Sequence, residues 1–288
     1  MHNKIKGIVF MVISSLGFSM MQILIALTAK RVPVFEQMLF RNLITTGIAY
    51  LALRKKRVSL FGKKENRKIL LARSVFGFLG MFCLFYATSV GNQGEVAILS
   101  KLSPFVVIFC AMVFLKEKPK NYQAVALVIA VCGAFITANP TFGGAAIPAL
   151  VAFLASVFAG IAYFCVGALK GKEDPQVIVF VFSAFTTVCT AILMLFDFVI
   201  PSLWDMVLLL GIGLMAAVGQ MGLTYAYSYA KASEVSVFNY TGIPFSMILG
   251  FLILGQPIKG TTLIGSILVI ASGVISFLGE KNSAKGQA

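Results

Sequence analysis

The chain has 288 residues, of which 59% are hydrophobic and only 12% charged, and its mean hydropathy is +0.94. Soluble domains run at about 45–50% apolar and roughly 25% charged residues, so this composition excludes a soluble enzyme and a disordered chain. The net charge of +14 marks cytoplasmic loops of a membrane protein rather than a nucleic-acid partner, and the lone histidine, His2, removes most Ser-His catalysis and most His-based metal sites.

A crossing helix needs about 20 mostly apolar residues to traverse a hydrocarbon core of ~30 Å. Ten such runs follow one another, at 7–29, 35–53, 69–90, 95–115, 122–138, 148–169, 176–196, 205–229, 234–254 and 261–279. The first is too long for a secretory signal peptide and lacks a small-residue cleavage site, so it reads as a retained span. It carries Ser15, Ser19, Gln22 and Ala26 on one helix face. The second holds Arg41 five residues past Glu36, with Asn42 and Thr45 beside it. The longest connection, Arg54 to Lys68, is basic. The fourth span begins at Glu95 and contains Lys101 and Pro104; the ninth begins at Glu234 and contains Ser236, Asn239, Tyr240 and Pro244. Tyr163 lies in the sixth span, and Gln220, Thr224 and Tyr227 form a polar stripe on the eighth. Ala126, Ala130 and Ala134 in the fifth span and Gly265 and Gly273 in the tenth permit close helix approach, either to support moving helices or to make a homodimer contact. The five cysteines all fall inside apolar runs and read as small packing residues.

With an even number of spans both termini share one side. Placing the N-terminus in the cytoplasm puts 19 of the 24 Lys and Arg residues inside, Arg73 counted among them, and only Lys30, Arg31 and Lys259 outside. The positive-inside rule then predicts cytoplasmic termini in a cell membrane. Arg41 and Lys101 are left within spans.

Displaced by about 140 residues, the sequence matches itself. Glu95-Val96 falls on Glu234-Val235, Pro104-Phe105 on Pro244-Phe245, Thr45-Thr46 on Thr186-Thr187, and the polar face of span one on Ser156, Gly160, Tyr163 and Gly167 of span six. Residues 1–140 and 141–288 therefore read as two five-span repeats. Because five is odd, the second enters the membrane from the opposite side, an arrangement common in secondary transporters. The expected fold is an all-α polytopic membrane protein whose ten transmembrane helices form two inverted repeats around a central cavity. Phe40-Arg41-Asn42, Leu102-Ser103-Pro104-Phe105 running to Leu115-Lys116-Glu117-Lys118, and Gly242-Ile243-Pro244-Phe245 running to Leu254-Gly255-Gln256-Pro257 resemble the EamA family of the drug/metabolite transporter superfamily. The resemblance covers both halves and implies a ten-helix transporter, often an exporter of metabolites; the family usually has an acid where Gln256 stands.

The residues themselves sketch a site. Each proline lies ~14–15 Å along its span, near mid-membrane, where it removes a backbone bond and frees the carbonyls of Ser100 and Tyr240. Pro104 and Pro244 are thus candidate kinks facing a cavity. Arg41 and Lys101, at a depth of ~8–9 Å below the outer end, with Gln22 nearby, make the outer half basic and point to an anionic group on the cargo; Glu36 and Glu95 are the alternative, as salt-bridge partners. Tyr163, Gln220, Asn239 and Tyr240 give the inner half neutral, aromatic and amide character suited to a small organic solute. Glu95 and Glu234 are candidates for proton coupling, though each also sits where it would cap a helix start. No nucleotide-binding loop is present, and no cofactor or metal is implied. The expected function is secondary-active transport rather than catalysis. The alternative is an intramembrane enzyme acting on a lipid or polar head group.

Overall fold

The computed structural model describes residues 2–115, 121–138, 146–169, 171–229 and 236–285. Its helices are α1 (His2–Thr28), α2 (Val34–Lys56), α3 (Arg67–Val90), α4 (Gln93–Ser100), α5 (Ser103–Leu115), α6 (Asn121–Ala138), α7 (Ala146–Leu169), α8 (Pro175–Met194), α9 (Leu203–Tyr229), α10 (Gly242–Leu254) and α11 (Gly260–Lys285), with a 3-10 turn over Ser236–Thr241 leading into α10. The described residues form no strand. Six helical stretches are each long and apolar enough to cross a bilayer alone. The chain is a polytopic helical membrane protein.

Local chemistry fixes the ends. Asn92 caps α4 by accepting from the backbone N–H of Gly94 (3.0 Å) and Glu95 (3.4 Å). Asp174 accepts from Gln176 N–H (2.8 Å), and Pro175, which has no N–H to lose, opens α8. Gly255 ends α10 at φ 65°, a left-handed conformation that costs a residue without Cβ little.

The helices pair mainly across the chain's midpoint: α1 with α9, α3 with α7, α6 with α11, α2 with α8, and α4 with α10. Lipid gives apolar faces no reason to leave it, so close packing and internal hydrogen bonds hold such a bundle together. A Cβ at Gly265 would strike the Thr137 side chain and the Gly133 carbonyl, so α6 and α11 approach at backbone distance. The alanine spine of α6 faces inward; Ala126 and Ala130 are fully buried in a cluster with Leu99, Leu102 and Phe105, so these residues support the broken fourth span from within the chain.

Polarity is inverted relative to a soluble protein. Ser14, Gln37, Asn42 and Thr186 are fully buried, whereas Phe114, Phe135 and Leu252 are about 70% exposed, which is the pattern of a lipid-facing exterior.

Candidate functional site

The fourth span is not a single helix. α4 stops at Ser100, Lys101 adopts φ −80° and ψ 5°, and α5 begins at Ser103. The turn is held by short-range bonds, Lys101 N–H to Ile98 O (3.1 Å) and Leu102 N–H to Leu99 O (3.2 Å). Pro104 is the second residue of α5, within the first turn, where a missing N–H costs nothing. The ninth span behaves alike: a 3-10 turn runs to Thr241, and Pro244 is the third residue of α10. Where the sequence suggested two kinks in continuous helices, the chain interrupts the helix before Pro104 and winds a tighter 3-10 turn into the helix that holds Pro244.

Irregular backbone at membrane depth needs partners inside the protein. The polar face of α1 supplies them for the ninth span. Ser15 Oγ donates towards the carbonyls of Asn239 (3.3 Å) and Phe238 (3.5 Å), and Ser19 Oγ to that of Gly242 (3.1 Å). Ser246 Oγ lies 3.0 Å from both Ser19 Oγ and Gln22 Oε1. The two breaks are joined directly, since Lys101 Nζ donates to Asn239 Oδ1 at 2.8 Å. Tyr240 follows Asn239, its ring against Gly273 of α11, where a Cβ would collide with it. Four of the predicted residues, Gln22, Lys101, Asn239 and Tyr240, therefore gather around the two breaks.

The remaining predicted residues fall in two other places. Gln220 lines a cavity of about 120 Å³ between α2, α8 and α9, with Thr45, Ala52, Gln176, Ala217 and Tyr225 among its walls. Ligand sites usually enclose roughly 300–1,000 Å³, so this cavity is smaller than most. Arg41 and Tyr163 lie elsewhere, with a residue that the sequence reading counted on the cytoplasmic side. Arg73 is on α3, its guanidinium carbon 4.1 Å from the centre of the Phe182 ring of α8. Arg41 and Arg73 are within electrostatic reach of each other and of Tyr163. Among the described residues Arg41 has no contact with Lys101; it is Arg73 that accompanies it. Arg73 falls inside the predicted run 69–90, and its depth past the start of that run was the signal available for finding it.

The acids do not neutralise these charges. Glu95 is bound by Lys259 Nζ (3.0 Å), not by Lys101. Glu36 is 1% exposed, and neither carboxylate oxygen has a partner within hydrogen-bonding distance among the described residues. Glu234 lies outside the described residues.

The sequence profile of the EamA-like transporter family matches residues 5–139 and again 146–278. The chain belongs to this family. The pseudopaline exporter of Pseudomonas aeruginosa is 32% identical over 269 residues, covering 93% of this chain and 94% of that one. A riboflavin transporter of Vibrio cholerae is 24% identical over 298 residues, covering 99% and 97%. A solved crystal structure with 14% identity superposes with a TM-score of 0.69 over 96% of this chain and 98% of its own, a likeness of fold. This EamA-like protein is thus a membrane transporter.

At the position where the family usually has an acid, Gln256 uses both ends of its amide. Its Oε1 accepts from the Gln93 N–H (2.8 Å) and its Nε2 donates to the Gly91 carbonyl (3.4 Å), tying the loop after α10 to the start of α4. A carboxylate could accept the first bond but could not donate the second.

Proposed function

We propose that this transporter is a secondary-active exporter of a small organic solute that works by alternating access, with ten spans in two inverted five-helix repeats and both termini in the cytoplasm. The observation that carries the reading is the meeting of two broken spans at Lys101 and Asn239, with the carbonyls of the second break held by α1. Breaks of this kind near mid-membrane create a polar site and a pair of hinges together. Gln22, Lys101, Asn239 and Tyr240 would contact the solute there, with Gln220 and Tyr163 on its route.

The helix pairing supports the inverted symmetry. Exchanging the halves turns the α1–α9 pair into the α7–α3 pair, and returns α2–α8 and α6–α11 to themselves. Thr46 Oγ1 also lies 3.4 Å from Thr187 Oγ1, its own counterpart 141 residues on, as residues beside a two-fold axis do.

Purified protein in liposomes tests the proposal. Saturable efflux of chemically unchanged solute, accelerated by solute on the opposite side, is expected; conversion of the solute, or flux that never saturates, refutes it. Pro104→Ala and Pro244→Ala should lower turnover more than expression, because each lets a helix run through its hinge. For the topology, Lys63→Cys and Ile200→Cys are placed singly in a chain without its native cysteines. An impermeant thiol reagent added outside cells should label position 200 and spare 63; the reverse pattern inverts the assignment.

A further inference from the structure

The Arg41–Arg73 cluster contains polar groups that no described residue satisfies. Arg73, Gly77 and Met81 follow at i, i+4 and i+8 along one face of α3. The Arg73 side chain lies alongside Gly77, where a Cβ would overlap the guanidinium and the edge of the Phe182 ring, so glycine is what leaves the charge its place. Arg41 comes from α2 and spends one nitrogen, Nη1, on Asn42 Oδ1 (3.0 Å) and the weak acceptor Met81 Sδ (3.5 Å). Its Nε, and both Nε and Nη1 of Arg73, are shut off from solvent without a hydrogen-bond partner among the described residues. Every carboxylate among those residues sits at a helix end or in a loop, and none pairs with either arginine. Two like charges within electrostatic reach of each other are half-buried and directed towards no counter-ion among the described residues. Such an arrangement is costly in the empty protein and becomes favourable when an anion enters between the charges.

We propose that Arg41 and Arg73 together bind a carboxylate group of the transported solute, which makes the cargo an organic carboxylate anion; this rests on the transport reading above. A guanidinium presents parallel N–H donors that match the two oxygens of a carboxylate. Two of them from different helices, α2 and α3, would register the anion's position across the helix pair. The Phe182 ring lies under the Arg73 guanidinium, 4.1 Å from its central carbon, and offers it no hydrogen-bond acceptor.

Citrate is the probe, with choline at equal ionic strength as the cationic control, and thermal unfolding of the full chain in uncharged detergent is the readout. At a ~100-fold excess over its Kd, citrate should raise Tm by about 5 °C and choline should not. Arg73→Met should abolish the citrate shift while raising the Tm of the empty protein, since an apolar side chain of similar length replaces an unpaired buried charge. Arg41→Lys keeps the charge but loses the fork, and should weaken citrate at least ~10-fold. No citrate shift in the wild type, or one that survives in Arg73→Met, overturns the proposal. So does an empty Arg73→Met protein less stable than wild type, which would make Arg73 a packing group for Phe182. A shift in nanodiscs that depends on Arg73 and on phosphatidylglycerol, but not on citrate, would give the site to a lipid head group and equally overturn it. The two readings fail separately. Citrate binding with no solute flux in liposomes sinks transport and leaves the site, whereas flux indifferent to Arg73→Met sinks the site and leaves transport.

Discussion

Around the two broken spans the irregular backbone and the buried charge have partners: Ser15 and Ser19 meet the carbonyls of Asn239 and Gly242, and Lys101 meets Asn239. Between α2, α3 and α8, two guanidinium groups share the interior with aromatic rings and a thioether and keep three nitrogens unbonded. Both regions place cations inside spans, and a sequence reading treats them alike. The difference separates a junction whose polar groups are paired within the chain from a place where three donors find no partner among the described residues. Removing a partner from the first should hurt stability, whereas removing a charge from the second should not.

The largest effect is expected at the junction. Asn239→Leu strands the Lys101 ammonium and should destabilise the protein by about 3 kcal/mol, read by thermal unfolding in detergent. Adding Lys101→Met should recover most of that loss, because both partners have then gone; a double variant as unstable as the single would mean that Asn239 acts through packing. Next comes Gly77→Ala, whose methyl must displace Arg73 or Phe182, at about 2 kcal/mol. Arg73→Met in the Gly77→Ala background should relieve most of this cost, and an additive result would break the link between glycine and guanidinium. Ser19→Ala leaves the Gly242 carbonyl with one partner fewer and should cost about 1 kcal/mol. Smallest is Lys259→Ala, beside the start of α4. Its side chain is 56% exposed, so the pair with Glu95 should contribute under about 1 kcal/mol. A larger loss would mark that pair as a structural clamp instead of a latch that opens cheaply.

The long helices were legible in the sequence because hydropathy and length are what define a span; α3, α7 and α9 begin within two residues of the predicted runs. The split of the fourth span was only half legible. Pro104 marked the place, but hydropathy averaged over a span carries the apolar runs on either side across Ser100-Lys101-Leu102-Ser103, and it registers side chains without registering lost backbone bonds. Asn239 was visible as a polar residue in an apolar run, yet its bond to Lys101 spans 138 positions and exists only once the halves meet. Arg73 was misread for a different reason. It stands six residues after Arg67 at a basic loop, and counting charges by side ignores that α3 carries it inward by ~9 Å.

The pairing of α1 with α9 and of α3 with α7 bears on how the protein is made. When α1 to α6 have entered the membrane, the acceptors for Ser14, Ser15 and Ser19 of α1 (Gly219, Asn239 and Gly242) have not yet been synthesised, for they lie more than 200 residues downstream. A nascent first half therefore waits in the bilayer with polar faces that only the second half can cover. Ribosomes stalled or truncated after α6 should leave a fragment that membrane quality control recognises and degrades. Separately expressed halves, inserted in the same membrane, should protect each other from that fate.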